Sequence, residues 1–196
     1  MGSAKFAAEI AEVPVINGGS GPKEHPTQAM LDLFTIKECF KEIDGLHVGM
    51  LGDLKYGRTA PSLSYGLSLF RNVKITFIAP PTLQIRKEVE FYLRKKGVKT
   101  KKVSDIDGII PSLDVLYVTR IQKERFPDPN EYERVKGAYR ITPDTIKDAK
   151  TDLMIMHPLP RVDELDPRID KTKHAWYFKQ AWNGKFVRIA LIDLVL

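Results

Sequence analysis

Four segments of this 196-residue chain carry side chains that could hold a small anion. His25-Pro26-Thr27-Gln28 reads as a helix opening, because proline suits a first turn and the free amides there favour an electronegative ligand. His25 and Gln28 are three residues apart and can address one point near the helix start, although a capped helix with a surface histidine has the same pattern. In Gly52-Asp53-Leu54-Lys55-Tyr56-Gly57-Arg58-Thr59 two glycines release the backbone and Arg58 lands where a helix begins. A cation there opposes the helix dipole. It either grips an anion, with carboxylate the natural bidentate match, or extends outward into water. In Thr119-Arg120-Ile121-Gln122, Arg120 and Gln122 alternate about Ile121 and can point to one side. His157-Pro158-Leu159-Pro160 has two prolines that stiffen a loop and leave its carbonyls free to accept from a ligand. These residue types describe a basic cleft for a small dicarboxylate. They do not specify a reaction.

The elements that must position them follow from patterning. Val13 to Ile16 is a short strand candidate running into the flexible Gly18-Gly19-Ser20-Gly21-Pro22. Ala29, Leu33, Ile36, Phe40 and Ile43 fall on one helical face over 27–43, ended by Gly45. Strands are expected at 47–51, 73–79, 115–119 and 153–156, and a further one starts in the lysine run after Gly97-Val98. Helices are expected at 58–70, along the Ile85, Val89, Leu93 face, from Thr142-Pro143-Asp144, and as two terminal segments at 176–183 and 185–196. Alternating strands and helices with short loops predict an α/β fold, a doubly wound parallel sheet with helices on both faces, Rossmann-like. Ligands of such sheets bind beyond the carboxyl ends of the strands. All four segments follow an expected strand.

Composition narrows the function classes. Hydrophobic residues make up 43% and charged residues 29%, so a packed core is expected. The net charge of +6 comes from lysines and arginines interleaved with acids, which suits small anionic substrates and argues against nucleic acid as the partner. Cys39 is alone, so no intramolecular disulfide is expected; its amphipathic surroundings mark it as a small core residue. No apolar run is long enough for a membrane span, and the expected setting is cytoplasmic. Gly19-Ser20-Gly21 lacks the third glycine and following acid of a dinucleotide site, which excludes a dehydrogenase reading.

Taken in order, HPTQ, GDLKYGRT, YVTRIQKERF and HPLPRVDE resemble the second, aspartate-binding domain of aspartate carbamoyltransferases, over about Lys5 to Leu196. Ornithine enzymes of the same group carry Cys between His and Leu in the last motif, where this chain has Pro158. The resemblance implies that His25 and Gln28 are the catalytic pair and contact the carbonyl and amide of carbamoyl phosphate. It implies that Arg58, Arg120 and Gln122 bind the aspartate carboxylates. The carbonyls of Pro158 and Leu159 would hold the carbamoyl amide and the attacking amine. The implied reaction transfers the carbamoyl group to L-aspartate, releasing phosphate, for pyrimidine synthesis. No cofactor and no metal are implied.

The resemblance also sets expectations about organisation. Residues 1–3 are expected as start residues, 4–13 as the remnant of an interdomain helix, 14–175 as the aspartate-binding domain and 176–196 as C-terminal interdomain helices. The first domain's Ser-Thr-Arg-Thr-Arg phosphate loop, and a Ser and Lys from a neighbouring subunit, have no counterpart here. The chain alone is therefore expected to bind aspartate without turnover. Ser20 stands where the family commonly has Asp, and Ala60-Pro61 where Val-His is common. The apolar terminal segment is expected to meet a carbamoyl-phosphate-binding domain or to self-associate. Leaving a few hundred Å² of it bare forfeits about 5 to 10 kcal/mol. The alternative is a non-catalytic binding or engineered scaffold module that reuses the fold.

Overall fold

The computed structural model describes residues 2–126 and 128–195. Met1 and Leu196, the outer limits of the expected start segment and terminal helix, lie outside the described residues, as does Pro127. In chain order the elements are α1 (Ser3–Ile10), α2 (Pro26–Phe40), β1 (His47–Leu51), α3 (Thr59–Leu67), β2 (Lys74–Ile78), α4 (Lys87–Lys95), β3 (Lys99–Val103), β4 (Val115–Val118), α5 (Pro129–Val135), β5 (Met154–Met156) and α6 (Tyr177–Val195), with four short 3-10 turns between them. The five strands form one sheet in the order β3-β2-β1-β4-β5, and every pairing is parallel.

Alternation along the strands sorts the core into two layers. Met50, Phe77, Tyr117 and Met156 enter one cluster with Ile36, Leu63, Leu67, Val89 and Leu93 of α2, α3 and α4. Leu51, Ile78, Leu116, Val118 and Ile155 enter the other, with Ile110, Leu113, Ile169 and Tyr177. This is the period-two pattern of a sheet buried on both faces. The second face is covered largely by 3-10 turns and the first turn of α6. Strands are added to one side of β1 as far as β3 and then to its other side from β4, so the carboxyl ends of β1 and β4 define the switch point.

The structure corrects several local expectations. Val13 to Ile16 is not a strand; it has no partner, and Val13, Val15 and Ile16 are exposed. At Thr142-Pro143-Asp144 the hydroxyl of Thr142 does accept from Thr145 N (3.3 Å), yet the chain makes turns and no helix. Buried Ile141 and Ile146 fix both sides of that turn, and the chain must reach β5 within a few residues. The two expected terminal helices are one helix, continuous through Gly184. A Cβ there would lie 3.1 Å from Leu31 Cδ2, so the glycine marks the place where α6 meets α2 closely and is not a break. The unanticipated α5 starts at Asp128, whose carboxylate accepts from Asn130 N (2.9 Å). Cys39 is half-buried against the core. Among the described residues no helix is long and apolar enough to cross a membrane.

Candidate functional site

The switch point is built by a close approach of backbones. Thr119 N and Oγ1 both donate to Leu51 O (2.8 and 2.9 Å), joining the ends of β4 and β1. Gly52 (φ 114°) follows, and a Cβ on it would lie 2.2 Å from Thr119 O, so only glycine fits. Immediately beyond lies a cavity of about 210 Å³ lined by His25, Gln28, Gly57, Arg58, Thr59, Thr119, Arg120, Gln122, His157, Pro158, Leu159 and Pro160. All seven residues singled out in the sequence thus face one space. A larger cavity of about 450 Å³ adjoins it and shares Thr119, Arg120 and Gln122. The smaller one gathers all four segments, three of them at strand ends, and is the better candidate.

Each wall has an identifiable support. Arg58 is the N-cap of α3, and its guanidinium lies on Gly19: a Cβ at position 19 would sit 2.6 Å from Arg58 Cζ. Ser62, one turn on, ties this wall to the next, because its hydroxyl donates to Arg58 O (3.0 Å) and accepts from His25 N (2.8 Å). His25 caps α2. Burial, reinforced by the positive charges of Arg58 and Arg188, lowers its pKa to about 4, so the imidazole is neutral at physiological pH. Arg120 and Gln122 both donate to Glu124 Oε1 (3.0 and 3.1 Å), so an internal carboxylate meets the two side chains expected to receive one from a ligand.

The His157-Pro158-Leu159-Pro160 loop is held from beneath. Leu159 N donates to His157 Nδ1 (2.8 Å), which makes Nδ1 an acceptor and leaves the proton on Nε2, donated to Glu164 Oε1 (2.7 Å). Burial works to raise the Glu164 carboxyl, yet this bond and backbone N–H groups hold it below the usual carboxylate range. His157 and Glu164 are both buried. The loop thereby keeps Leu159 at φ 50°, turning the flanking carbonyls out of any ladder. Gly19, Ser62 and Glu164 were not singled out from sequence. For Ser62 no local pattern distinguishes it; Gly19 and Glu164 lay inside quoted segments.

Comparisons with known proteins agree with this geometry. Residues 44–195 match the family model described as aspartate/ornithine carbamoyltransferase, Asp/Orn binding domain. The chain belongs to the aspartate/ornithine carbamoyltransferase family. Residues 2–38 match that family's carbamoyl-P binding domain model, which ends near the close of α2 and includes His25 and Gln28. Over 195 residues the chain is 54% identical to the aspartate carbamoyltransferase catalytic subunit of Thermococcus kodakarensis and 55% identical to that of Pyrobaculum calidifontis, covering all of this chain and 63% and 64% of those proteins. The catalytic subunit of M. jannaschii aspartate transcarbamoylase superposes with a TM-score of 0.90 at 48% identity, covering all of this chain and 63% of that one. The Trypanosoma cruzi aspartate transcarbamoylase in complex with carbamoyl phosphate and aspartate gives 0.94 at 36% identity, covering all of this chain and 64% of that one. The chain thus spans a little under two thirds of the length of the relatives it matches.

Proposed function

We propose that this chain carries the acceptor side of an aspartate carbamoyltransferase site, binding L-aspartate against the carbamoyl group of carbamoyl phosphate. One observation carries the choice of acceptor. The cavity is lined by two arginines, two glutamines and two histidines, and no acidic side chain lines it. Two guanidinium groups suit the two carboxylates of aspartate. An ornithine side chain would bring a cation into a space that already holds Arg58 and Arg120.

In this reading Arg58 takes one carboxylate, and Arg120 with Gln122 takes the other, released by Glu124 as the ligand enters. The carbonyl of Leu159 accepts from the attacking amine. Neutral His25 donates a hydrogen bond to the carbamoyl oxygen, where negative charge builds as the tetrahedral centre forms. Gln28 and the Pro158 carbonyl accept from the carbamoyl amide. A carbon–nitrogen bond forms, the carbon–oxygen bond to phosphate breaks, and the amine's surplus proton leaves with the phosphate. Positioning two reactants in one geometry supplies much of the acceleration.

In the same reading residues 4–13 are the end of an interdomain helix, 14–175 the aspartate-binding body and 176–196 the return segment toward a carbamoyl-phosphate-binding domain, although the carbamoyl-P binding model reaches as far as residue 38. Phe178, Trp182, Phe186 and Ile189 are exposed at helical spacing on α6, and Phe6 and Ile10 are exposed on α1. These faces support either a covering domain or self-association. Calorimetric titration of the 196-residue chain with succinate is the test. Heat that disappears in Arg58→Ala and Arg120→Ala is the expected result, with no N-carbamoyl-aspartate formed from carbamoyl phosphate and aspartate. Absence of binding to succinate and aspartate would favour the non-catalytic scaffold, and turnover by this chain alone would refute the division of labour.

A further inference from the structure

A buried chain of hydrogen bonds runs beneath the cavity and joins two of its walls. Asp32, on α2 one turn after Gln28, is fully buried. Its Oδ1 accepts from Gln28 Nε2 (2.9 Å) and from Gln180 Nε2 of α6 (2.7 Å). Its Oδ2 accepts from the Tyr117 hydroxyl of β4 (2.8 Å). The other end of the Gln180 amide, Oε1, accepts from His157 N (2.8 Å), at the base of the proline loop. Gln180 is 1% exposed, so neither end of its amide has water as a substitute partner. From Glu164 through His157, Gln180 and Asp32 to Gln28 the contacts are continuous.

The chain has a direction, because its members are not interchangeable. A backbone N–H can only donate, so Gln180 must present its oxygen to His157 and its NH2 to Asp32. Asp32 Oδ1 accepts from both amides, with the Tyr117 hydroxyl on Oδ2, so Gln28 also turns its NH2 toward Asp32. Gln28 lines the cavity, and its remaining polar atom is the amide oxygen. The arrangement therefore aims an acceptor, and not a donor, at whatever occupies the site beside the Pro158 carbonyl.

We propose that Gln180 and Asp32 are positioning residues that lock the Gln28 amide with its oxygen toward the cavity, so that the site selects a ligand bearing an N–H2 group over an isosteric one bearing a methyl group. This rests on the functional reading above for the ligand, but the locking itself does not. Gln180 reaches the site from the terminal helix, 16 residues after the last motif ends at Glu164. It acts through Asp32 and His157 and touches no ligand.

The test uses three ligands and one variant of the whole chain. Succinate supplies two carboxylates alone. N-carbamoyl-L-aspartate adds the amide, and N-acetyl-L-aspartate replaces its NH2 by methyl. The unmodified chain is expected to prefer the carbamoyl compound over the acetyl one by about tenfold, the worth of one to two net hydrogen bonds. In Gln180→Met, which keeps the length and removes both polar ends, that ratio is expected to fall to about twofold while succinate affinity stays within about twofold. A folded variant that retains the full ratio overturns the proposal. The second measurement needs no variant: by NMR, the side-chain amide protons of Gln28 and Gln180 in the unmodified chain should exchange with solvent at least about a hundredfold more slowly than those of an exposed glutamine. Exchange at the free rate overturns the locking even if Gln180→Met fails to fold. If no ligand binds the unmodified chain, the aspartate reading fails, and the exchange measurement still decides the locking.

Discussion

Replacing Gly19 by alanine should damage ligand binding through a residue 39 positions away. Gly19 adopts φ 129°, and a Cβ placed on it would lie 2.6 Å from both Cζ and Nη1 of Arg58 and 2.9 Å from Nη2. To restore an ordinary contact of 3.4 Å the guanidinium must retreat by about 0.8 Å. That end of the side chain is flexible, so the collision costs the fold little; the cost moves to whatever the guanidinium was holding. A bidentate grip on a carboxylate does not survive such a shift on both arms. Losing one charge-assisted bond is worth about 1.5 to 3 kcal/mol, or roughly a ten- to hundredfold rise in the succinate Kd. Separately, alanine at this φ stores about 1 to 3 kcal/mol of backbone strain. At about 2 to 4 °C per kcal/mol for a chain of this size, Tm should fall by several degrees. Gly18→Ala is the control, because a Cβ there meets nothing within 4 Å and the backbone is in an ordinary region. Calorimetric titration with succinate and a thermal melt, run on both variants, separate the two effects. Gly19→Ala binding succinate as the unmodified chain does would refute the placement of Arg58 as a ligand-holding residue.

Three further outcomes are expected. The His25 ring should titrate near pH 4, and Arg58→Ala should move it upward, since burial first and the Arg58 charge second depress it; the imidazole proton shifts in NMR report this directly. Asp32 behaves in the opposite sense. Burial, only partly offset by hydrogen bonds from Gln180, Tyr117 and Gln28, raises its pKa from 3.8 to about 7, so the folded state binds more protons between those values. Its stabilising contribution is present below pH 4 and is lost as pH rises through about 7; Asp32→Asn should remove that part of the slope in urea midpoints measured from pH 4 to 8. Finally, Trp182 and Phe186 stack edge to face on exposed α6 (5.7 Å), and Trp182→Glu with Phe186→Glu should abolish any concentration-dependent mass seen by sedimentation without unfolding the chain.

Much of this protein was legible in its residues. Each of the five strands was anticipated, and β1 matched to the residue: four read as short apolar runs bounded by turn formers, as strands buried on both faces must, while the exposed lysine run of β3 was marked only by the Gly97-Val98 break before it. Five of the seven candidate residues stood out because they follow β1, β4 or β5, where ligands of such a sheet bind, whereas His25 and Gln28 follow no strand and stood out by the opening of α2 alone. What the sequence could not reveal was the partner of each polar side chain. Along α2 the apolar face Ala29, Leu33, Ile36 and Phe40 was visible, but nothing in the local pattern marked Asp32 and Thr35 as buried beside Gln28. They are buried because α6, some 150 residues later, packs there and supplies Gln180 and Asn183 as partners. Gly184 looked like a helix break for the same reason: a glycine's local propensity says nothing of the helix it will press against. Val13 to Ile16 erred the other way, since β propensity forms no strand without a neighbour to pair with. Periodicity and turn chemistry are local and set the elements. Burial, hydrogen-bond direction and the neutrality of His25 depend on what arrives from elsewhere in the chain, and only the tertiary structure decides them.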